Sequence, residues 1–466
     1  MPTPTLLWIT AAGALIRIGC ALLFVDAPGD GPTRAALGYQ WLMAPRLVLD
    51  GHWLPMSEIL VGLATAILPD PRWAARVLGL VAGSASIPVM GKLAGRLFGA
   101  EIGTASALLL ALLPMHVGLS ATMLAEPVYL FLLLSVLLAG LALDGPGRPR
   151  WALVLTVTLA AIVTGIRYEA WLIVPALGLW HLVRFRCLSC SLAFGLALSL
   201  VPLFWIMKAL GGPAGLLAAF DFVAESRAAI GGEAVSWAVG MGILWGRLGQ
   251  TIGPALPVLA VAGLPVCWCQ KPAERLVWVA VLLGATFLAL LLAVERGQSF
   301  VDRYVLTMAV LAIPLGLVAV RQVLAVPWQG MALVLVLAGS MMAANWLDPP
   351  QQYLVRRYPP ETIELARWLD QNRAPDTRLL LSRMSWQASY VPLFHRLGRD
   401  EYRIISWYLS DSALRKFLAR RPTLLITRDG DEAFVQRVTA AGWQLVPTPL
   451  ARFGKIRVHR LQPPDG

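Results

Sequence analysis

A polar group-transfer reaction asks for a carboxylate to take a proton and for cations to meet the negative charge that develops. This sequence offers such residues at few places. Asp30, Glu126, Arg167 with Glu169, and Asp302 with Arg303 stand out in a chain that is 58% hydrophobic and only 14% charged. Asp26, Arg34, Asp50, His52 and Glu58 accompany Asp30 within residues 26–72. Taken singly, each has an ordinary explanation. Glu126 precedes Pro127 at a helix start, where a carboxylate favours the positive end of the helix dipole. Arg167 and Glu169 suit a headgroup interface, and Asp302 with Arg303 suits an exposed pair of little energetic worth. Their common side of the membrane turns them into a functional hypothesis.

The elements that must position these residues are membrane spans. A soluble protein averages about 25% charged residues, so this composition is that of a polytopic membrane protein. Residues 6–25 form a first span, read as an uncleaved anchor because further apolar runs follow it. Arg17 sits too deep in it for easy snorkelling, which favours a cavity-facing guanidinium. Segment 26–72 is charged and broken by Gly and Pro, so it lies at a polar surface or lines a water-filled cavity. Two short helices are expected at 33–44 and 57–68. The apolar run 59–68 is too short to cross a ~30 Å core and reads as interfacial or re-entrant.

Further spans are expected at 73–94, 103–119, 125–143, 151–166, 170–183, 191–209, 241–266, 276–294, 304–320 and 329–346, about eleven in all at ~20 residues each. With the first loop outside, the inside connections carry Lys92/Arg96, Arg148/Arg150, Arg184/Arg186, Lys271/Arg275 and Arg321. That is the charge asymmetry of cytoplasmic loops. The outside connections then hold Asp26/Asp30, Glu126, Arg167/Glu169, Asp221/Glu225/Arg227, Glu233 and Glu295/Arg296/Asp302/Arg303, with most of the acid. The expected placement is a bacterial inner (plasma) membrane, multi-pass, with active site and C-terminal domain extracytoplasmic.

The sequence divides into a membrane domain, 1–346, and an extracytoplasmic accessory domain, 347–466. From Leu347 onward 19 Lys+Arg face 12 Asp+Glu, so the tail carries +7 of the net +12. Apolar runs at 378–381, 402–405 and 423–427 alternate with helical stretches at 361–371, 410–420 and 431–441, which reads as a small α/β domain with a mostly parallel sheet. Residues 443–446 and 455–461 would close it as edge strands. No glycine-rich phosphate loop marks a strand-to-helix turn, which argues against a nucleotide site. The five cysteines all precede Ala273. Cys187, Cys190, Cys267 and Cys269 read as reduced thiols in short turns, since neither pair has zinc-ribbon context.

Asp30-Gly-Pro-Thr-Arg34, followed by Trp41, Pro45 and His52-Trp-Leu-Pro55, resembles the first luminal loop of the GT-C membrane glycosyltransferases, in particular the dolichyl-phosphate-mannose protein mannosyltransferases and the aminoarabinose transferases. Ala74-Ala-Arg76-Val-Leu, Leu97-Phe-Gly99, Leu113-Pro114, Ser120, Ala125-Glu126-Pro127, Gly165-Ile-Arg167-Tyr-Glu169 and Arg303-Tyr304 continue the resemblance over residues 6–320. The family usually has Asp-Glu at the catalytic position; here Gly31 follows Asp30, and Asp26 is a second candidate.

The resemblance implies a hexosyl- or pentosyltransferase that moves a sugar from a polyprenyl-phosphate donor, held among membrane lipid, to a hydroxyl or amine on a protein, lipid or glycan. No nucleic acid is involved. Asp30 and Glu126 would be catalytic, Asp30 as general base. Arg34, Arg167, Glu169, Arg303, Tyr304 and His52 would bind substrate. No cofactor is required by this chemistry, and a divalent metal between Asp30 and Glu126 is left open. Two rivals stand beside it: a transporter or flippase of lipid-linked sugars, with Arg17, Lys208 and Arg247 marking its path, and a non-enzymatic envelope assembly protein.

Overall fold

The computed structural model describes residues 4–463 apart from 28, 46–53, 144–149, 187, 205, 208–233, 271, 298–299, 324–333, 335, 338, 340–352, 383–388, 398–400, 406–410, 420–421 and 447. His52, Asp50, Lys208 and the acidic residues of 221–233 lie outside the described residues. The chain forms two compact units: one of 1–22, 77–121 and 125–351, the other of 23–76, 122–124 and 352–466. The first loop thus belongs with the tail.

The first unit is helical. Among the described residues, four helices are long and apolar enough to cross a membrane, or up to six if each of two bent pairs is one span. Helix α1 (Pro4–Leu23) and helix α4 (Pro71–Phe98) meet this test outright, as do 278–295 and 302–322. The last of these is mostly buried, whereas α1 exposes Leu7, Trp8, Leu15 and Leu22 as a peripheral span would. Leu6, Ile87, Ala107 and Ala111 form a buried cluster that ties α1 to its neighbours. Close approach uses glycine: a Cβ on Gly103 of helix α5 (Ala100–Leu112) would sit 2.7 Å from the backbone of Gly95 on α4. Small residues at such crossings are the usual way for membrane helices to gain contact.

Two expected spans are bent. Residues 103–119 divide into α5 and α6 (Pro114–Ser120) at an angle of 60°. Pro114 cannot supply the N–H that the Leu110 carbonyl would use in a continuous helix. Residues 241–266 bend by 104° between Trp237–Ile252 and Ala255–Pro265, where Gly253 takes φ 78° and Pro254 follows.

The first break explains Arg17, which the sequence placed toward a cavity. Arg17 is fully buried. Its Nη2 donates to the Leu110 carbonyl at 3.1 Å, and Nη1 to Ala111 at 3.1 Å and Gly13 at 2.8 Å. Its guanidinium therefore caps the last turn of α5, where carbonyls have no helical partner and water is excluded. His116 Nδ1 lies 2.7 Å from Nη2 and acts as acceptor, since arginine has no lone pair to offer. Other arginines cap helix ends too: Arg96 donates to Leu141 at 2.5 Å and Arg275 to Leu97 at 3.0 Å.

The second unit joins a helical hairpin to a sheet. Helix α2 (Asp30–Met43) and helix α3 (Met56–Ile67) pack against each other. A Cβ on Gly62 would lie 2.9 Å from the Gly38 carbonyl oxygen, so the crossing needs a glycine there. At 12 residues α3 is about 18 Å long, short of the hydrocarbon core. Strands β1 (Val25–Asp26) and β2 (Leu354–Val355) pair antiparallel, Asp26 opposite Leu354.

The larger sheet has the order β4-β3-β5-β8-β6, with β7 also on β8. β3 (Arg378–Ser382) runs parallel to β4 (Tyr402–Ile405) and to β5 (Thr423–Arg428). β3 is buried along its whole length, and β5 nearly so, as parallel strands covered on both faces are. β8 (Ile456–Gln462) runs antiparallel to β5, to β6 (Gln444–Leu445) and to β7 (Ala451–Phe453). The sheet is therefore mixed, and β8, expected at an edge, lies inside it. Its Ile456, Val458 and Leu461 are buried, with β5 along one side and β7 and then β6 along the other.

Candidate functional site

In the first unit, Glu126 opens helix α7 (Glu126–Ala142), with Pro127 filling a first-turn position that needs no N–H. Helix 150–164 ends just before Arg167, and a tight turn, Tyr168–Leu172, brings Glu169 back onto it. Arg167 Nη1 donates to Glu126 Oε1 at 2.6 Å. Its Nε donates to both Glu169 oxygens at 3.1 Å and its Nη2 to Oε1 at 2.6 Å. All three guanidinium nitrogens thus face carboxylates. Arg303 Nε stands 3.6 Å from Glu126 Oε1, and its guanidinium lies 5.6 Å from the Tyr304 ring centre. Burial would raise the Glu169 carboxyl, but the adjoining Arg167 outweighs it and holds Glu169 below its ordinary range.

The structure accordingly brings together Glu126, Arg167, Glu169 and Arg303, which come from three separate stretches of sequence. Two residues that sequence reasoning missed as members belong here. The Tyr129 ring, one turn along α7 from Glu126, lies 5.6 Å from the Arg167 guanidinium. Arg247 pairs with Asp302 at 2.9 Å. The i, i+3 spacing of Glu126 and Tyr129 was a usable signal; Arg247 stood out only as a charge within a span, assigned there to a transport path.

In the second unit, half-buried Asp30 is the first residue of α2, where the helix dipole favours its ionised form. Arg34, one turn on, is buried and donates from Nη1 to Ser57 Oγ at 3.0 Å, so it links α2 to α3. Asp26 precedes them and is almost fully buried. Its Oδ1 accepts the Met123 N–H at 2.7 Å, and Arg76 Nε lies 3.6 Å from Oδ2. Burial pushes its carboxyl up to about 7, against the opposing pull of the Met123 N–H and Arg76.

Gly31 accounts for the departure from Asp-Glu. A Cβ at that position would lie 2.7 Å from Asp26 Oδ1 and 3.6 Å from Met123 Cβ. The Asp26 carboxylate thus fills the room a side chain at 31 would need.

No three His, Cys, Asp or Glu side chains gather to hold a metal among the described residues. Glu126, the carboxylate named beside Asp30 for a hard cation, already faces two guanidiniums. Such surroundings repel a cation, so this donor set does not fit a metal and none enters the chemistry below.

Residues 52–207 match the family model of the dolichyl-phosphate-mannose-protein mannosyltransferases. No curated protein matches the chain in sequence. Among solved structures, ArnT from Cupriavidus metallidurans bound to undecaprenyl phosphate aligns over 97% of this chain and 97% of its own, with TM-score 0.63 and 13% identity. The chain has the GT-C glycosyltransferase fold. The Archaeoglobus fulgidus oligosaccharyltransferase, in complex with Zn and sulfate, aligns over 96% of this chain and 72% of its own, with TM-score 0.61 and 13% identity. For the arabinofuranosyltransferase AftD from Mycobacteria the values are 98%, 41%, 0.53 and 14%. The family-model match takes in His52, Glu126, Arg167 and Glu169. The fold likeness covers 97% of the chain.

Proposed function

We propose that this chain is an integral-membrane glycosyltransferase that moves a sugar from a polyprenyl-phosphate donor to a hydroxyl or amine acceptor. The observation that carries the reading is the fold match over 97% of both chains to an enzyme solved with undecaprenyl phosphate bound. The donor's phosphate is already a good leaving group, so no acid has to protonate it. Asp30 takes the acceptor's proton as the acceptor oxygen or nitrogen bonds to the anomeric carbon. The bond from that carbon to the phosphate oxygen breaks on the opposite face, and the anomeric centre inverts. An ionised carboxylate is what a base needs, and a helix N-terminus favours that form.

Negative charge left on the prenyl phosphate is met by arginine, whose planar fork matches phosphate oxygens. Arg303 and Arg34 take this role. Arg167, held by Glu126 and Glu169, fixes the two carboxylates and contributes its charge from there. Glu126 orients the acceptor, with Tyr304 and His52 as further substrate contacts. The working side and the tail are extracytoplasmic in this reading, in a bacterial inner membrane, and the acceptor is a protein, lipid or glycan.

The test is transfer by purified protein in lipid nanodiscs from a panel of radiolabelled polyprenyl-phosphate sugars. Asp30→Asn should lose transfer by about 10²–10⁴-fold, the usual contribution of a positioned base, while melting at the wild-type temperature. A transporter or an assembly protein would be indifferent to that substitution, so unchanged turnover or unchanged cellular function in Asp30→Asn overturns the assignment.

A further inference from the structure

The segment just before α2 is held by residues more than three hundred positions downstream. Gly29 donates its N–H to Ser389 Oγ at 3.0 Å. Tyr390 Oη donates to the Asp26 carbonyl at 2.7 Å. Ala27 N–H donates to the Tyr353 carbonyl at 2.8 Å, and β1 pairs with β2. The main chain is thus tied to the tail at 25–27 and again at 29. Gly29 takes φ 138°, a conformation other residues adopt only under strain, and its carbonyl accepts from Thr33 N and Thr33 Oγ1 in the first turn of α2. Asp30 follows directly.

The tail residues that make these bonds are themselves fixed. Tyr390 is fully buried, stacks on Phe394 with ring centres 5.6 Å apart, and meets Tyr358 edge-on at 4.8 Å. The far end of the first loop rests on the same aromatic cluster. The Arg72 guanidinium lies 5.3 Å from the Phe394 ring centre and is held in place by Asp70 at 2.6 Å. Both ends of loop 26–72 are thereby anchored on one turn of the tail, around Ser389 to Phe394. A base works only within hydrogen-bond reach of its proton, and misplacement by about 1 Å costs on the order of 10²-fold.

We propose that Ser389 and Tyr390 are positioning residues for Asp30, acting through the Gly29 amide and the Asp26 carbonyl, so that the tail serves the reaction by setting the first loop. The inference rests on the reading of Asp30 as the base. It differs from the view of such a tail as a separate substrate-binding module, because the bonds run to main chain beside the carboxylate.

The test uses full-length protein in nanodiscs, with Ser389→Ala, Tyr390→Phe and the double variant. Asp429→Asn, in the surface ion cluster with Arg452 and Arg457, serves as control. Amide exchange of peptides covering 24–34 is followed by mass spectrometry, beside steady-state transfer from the polyprenyl-phosphate sugar that wild type uses. The double variant should raise exchange in 24–34 about ten-fold and lower kcat about ten-fold, with KM for the lipid donor within two-fold of wild type. Asp429→Asn should change none of these.

Unchanged exchange in 24–34 overturns the proposal, and so does raised exchange with kcat intact. A loss confined to KM also overturns it, because that is the signature of a substrate-binding tail. If wild type transfers none of the probe sugars, the sugar-transfer reading fails on its own. The exchange comparison still decides whether Ser389 and Tyr390 order the loop.

Discussion

Arg17 Nη2 donates to the Leu110 carbonyl at 3.1 Å, at the one point in the α5–α6 span where Pro114 withholds the helical N–H. A bend in a membrane helix is tolerated only when another group satisfies the freed backbone. Arg17 does so from a neighbouring span, so it belongs to the scaffold. Arg17→Ala leaves the Leu110 and Ala111 carbonyls unpaired, at about 1–3 kcal/mol each. The expected outcome is a large drop in thermal midpoint, measured in nanodiscs by intrinsic Trp fluorescence. Pro114→Ala restores a potential N–H donor, so Arg17→Ala should cost less in that background. Additive costs in the double variant would argue against the capping role.

Arg167 holds two carboxylates at once, and removing it leaves buried Glu126 and half-buried Glu169 without their main cation. Arg167→Leu should destabilise by about 3–5 kcal/mol, the usual result of breaking one side of a buried pair. The double variant Arg167→Leu/Glu169→Gln removes one of the stranded charges and should recover part of that loss. Comparing thermal midpoints of the single and double variants checks this. Arg167→Lys keeps the charge but loses the fork that binds Glu169 through two nitrogens, so it should fall between wild type and Arg167→Leu.

The crossing of α2 and α3 gives a third test. A Cβ on Gly62 meets the Gly38 carbonyl, a backbone atom that cannot swing aside. Gly62→Ala should therefore push the helices apart at a cost of about 1–3 kcal/mol, visible as faster amide exchange in peptides from 30–43. Since α2 carries Asp30, transfer should fall with it. Gly19 has open space around it, and Gly19→Ala should leave exchange in 30–43 unchanged.

What the sequence made legible follows from what is local. Glu126 announced itself through Pro127 and a following apolar run, and Arg167 with Glu169 through their two-residue spacing at a helix end. The short α3 was legible from its length alone. The meeting of Glu126 with Arg303 was not, because their separation in sequence leaves no periodic trace. Asp26 looked like a spare copy of Asp30, and only the strand pairing with Leu354 and the Met123 N–H show why it is buried. β3 and β5 were visible as apolar runs. The interior place of β8 was hidden because Arg457, His459 and Arg460 give it the polar content of an edge strand.

The burial of Asp26 makes the stability of the fold depend on pH. Its carboxyl titrates at about 7 in the folded chain against an ordinary 3.8. Between those values the folded state holds a proton that the unfolded state has lost, so stability falls as pH rises through that window and levels off above it. The size is on the order of 4 kcal/mol, since each ten-fold change in proton affinity is worth about 1.4 kcal/mol. Asp26→Asn keeps an oxygen for the Met123 N–H but cannot ionise. Thermal midpoints measured from pH 4.5 to 8.5 should decline for wild type across the middle of that range. The decline should be shallower in Asp26→Asn, which should be the more stable of the two at pH 8. Parallel curves would mean that Arg76, 3.6 Å away, already keeps the carboxylate ionised throughout.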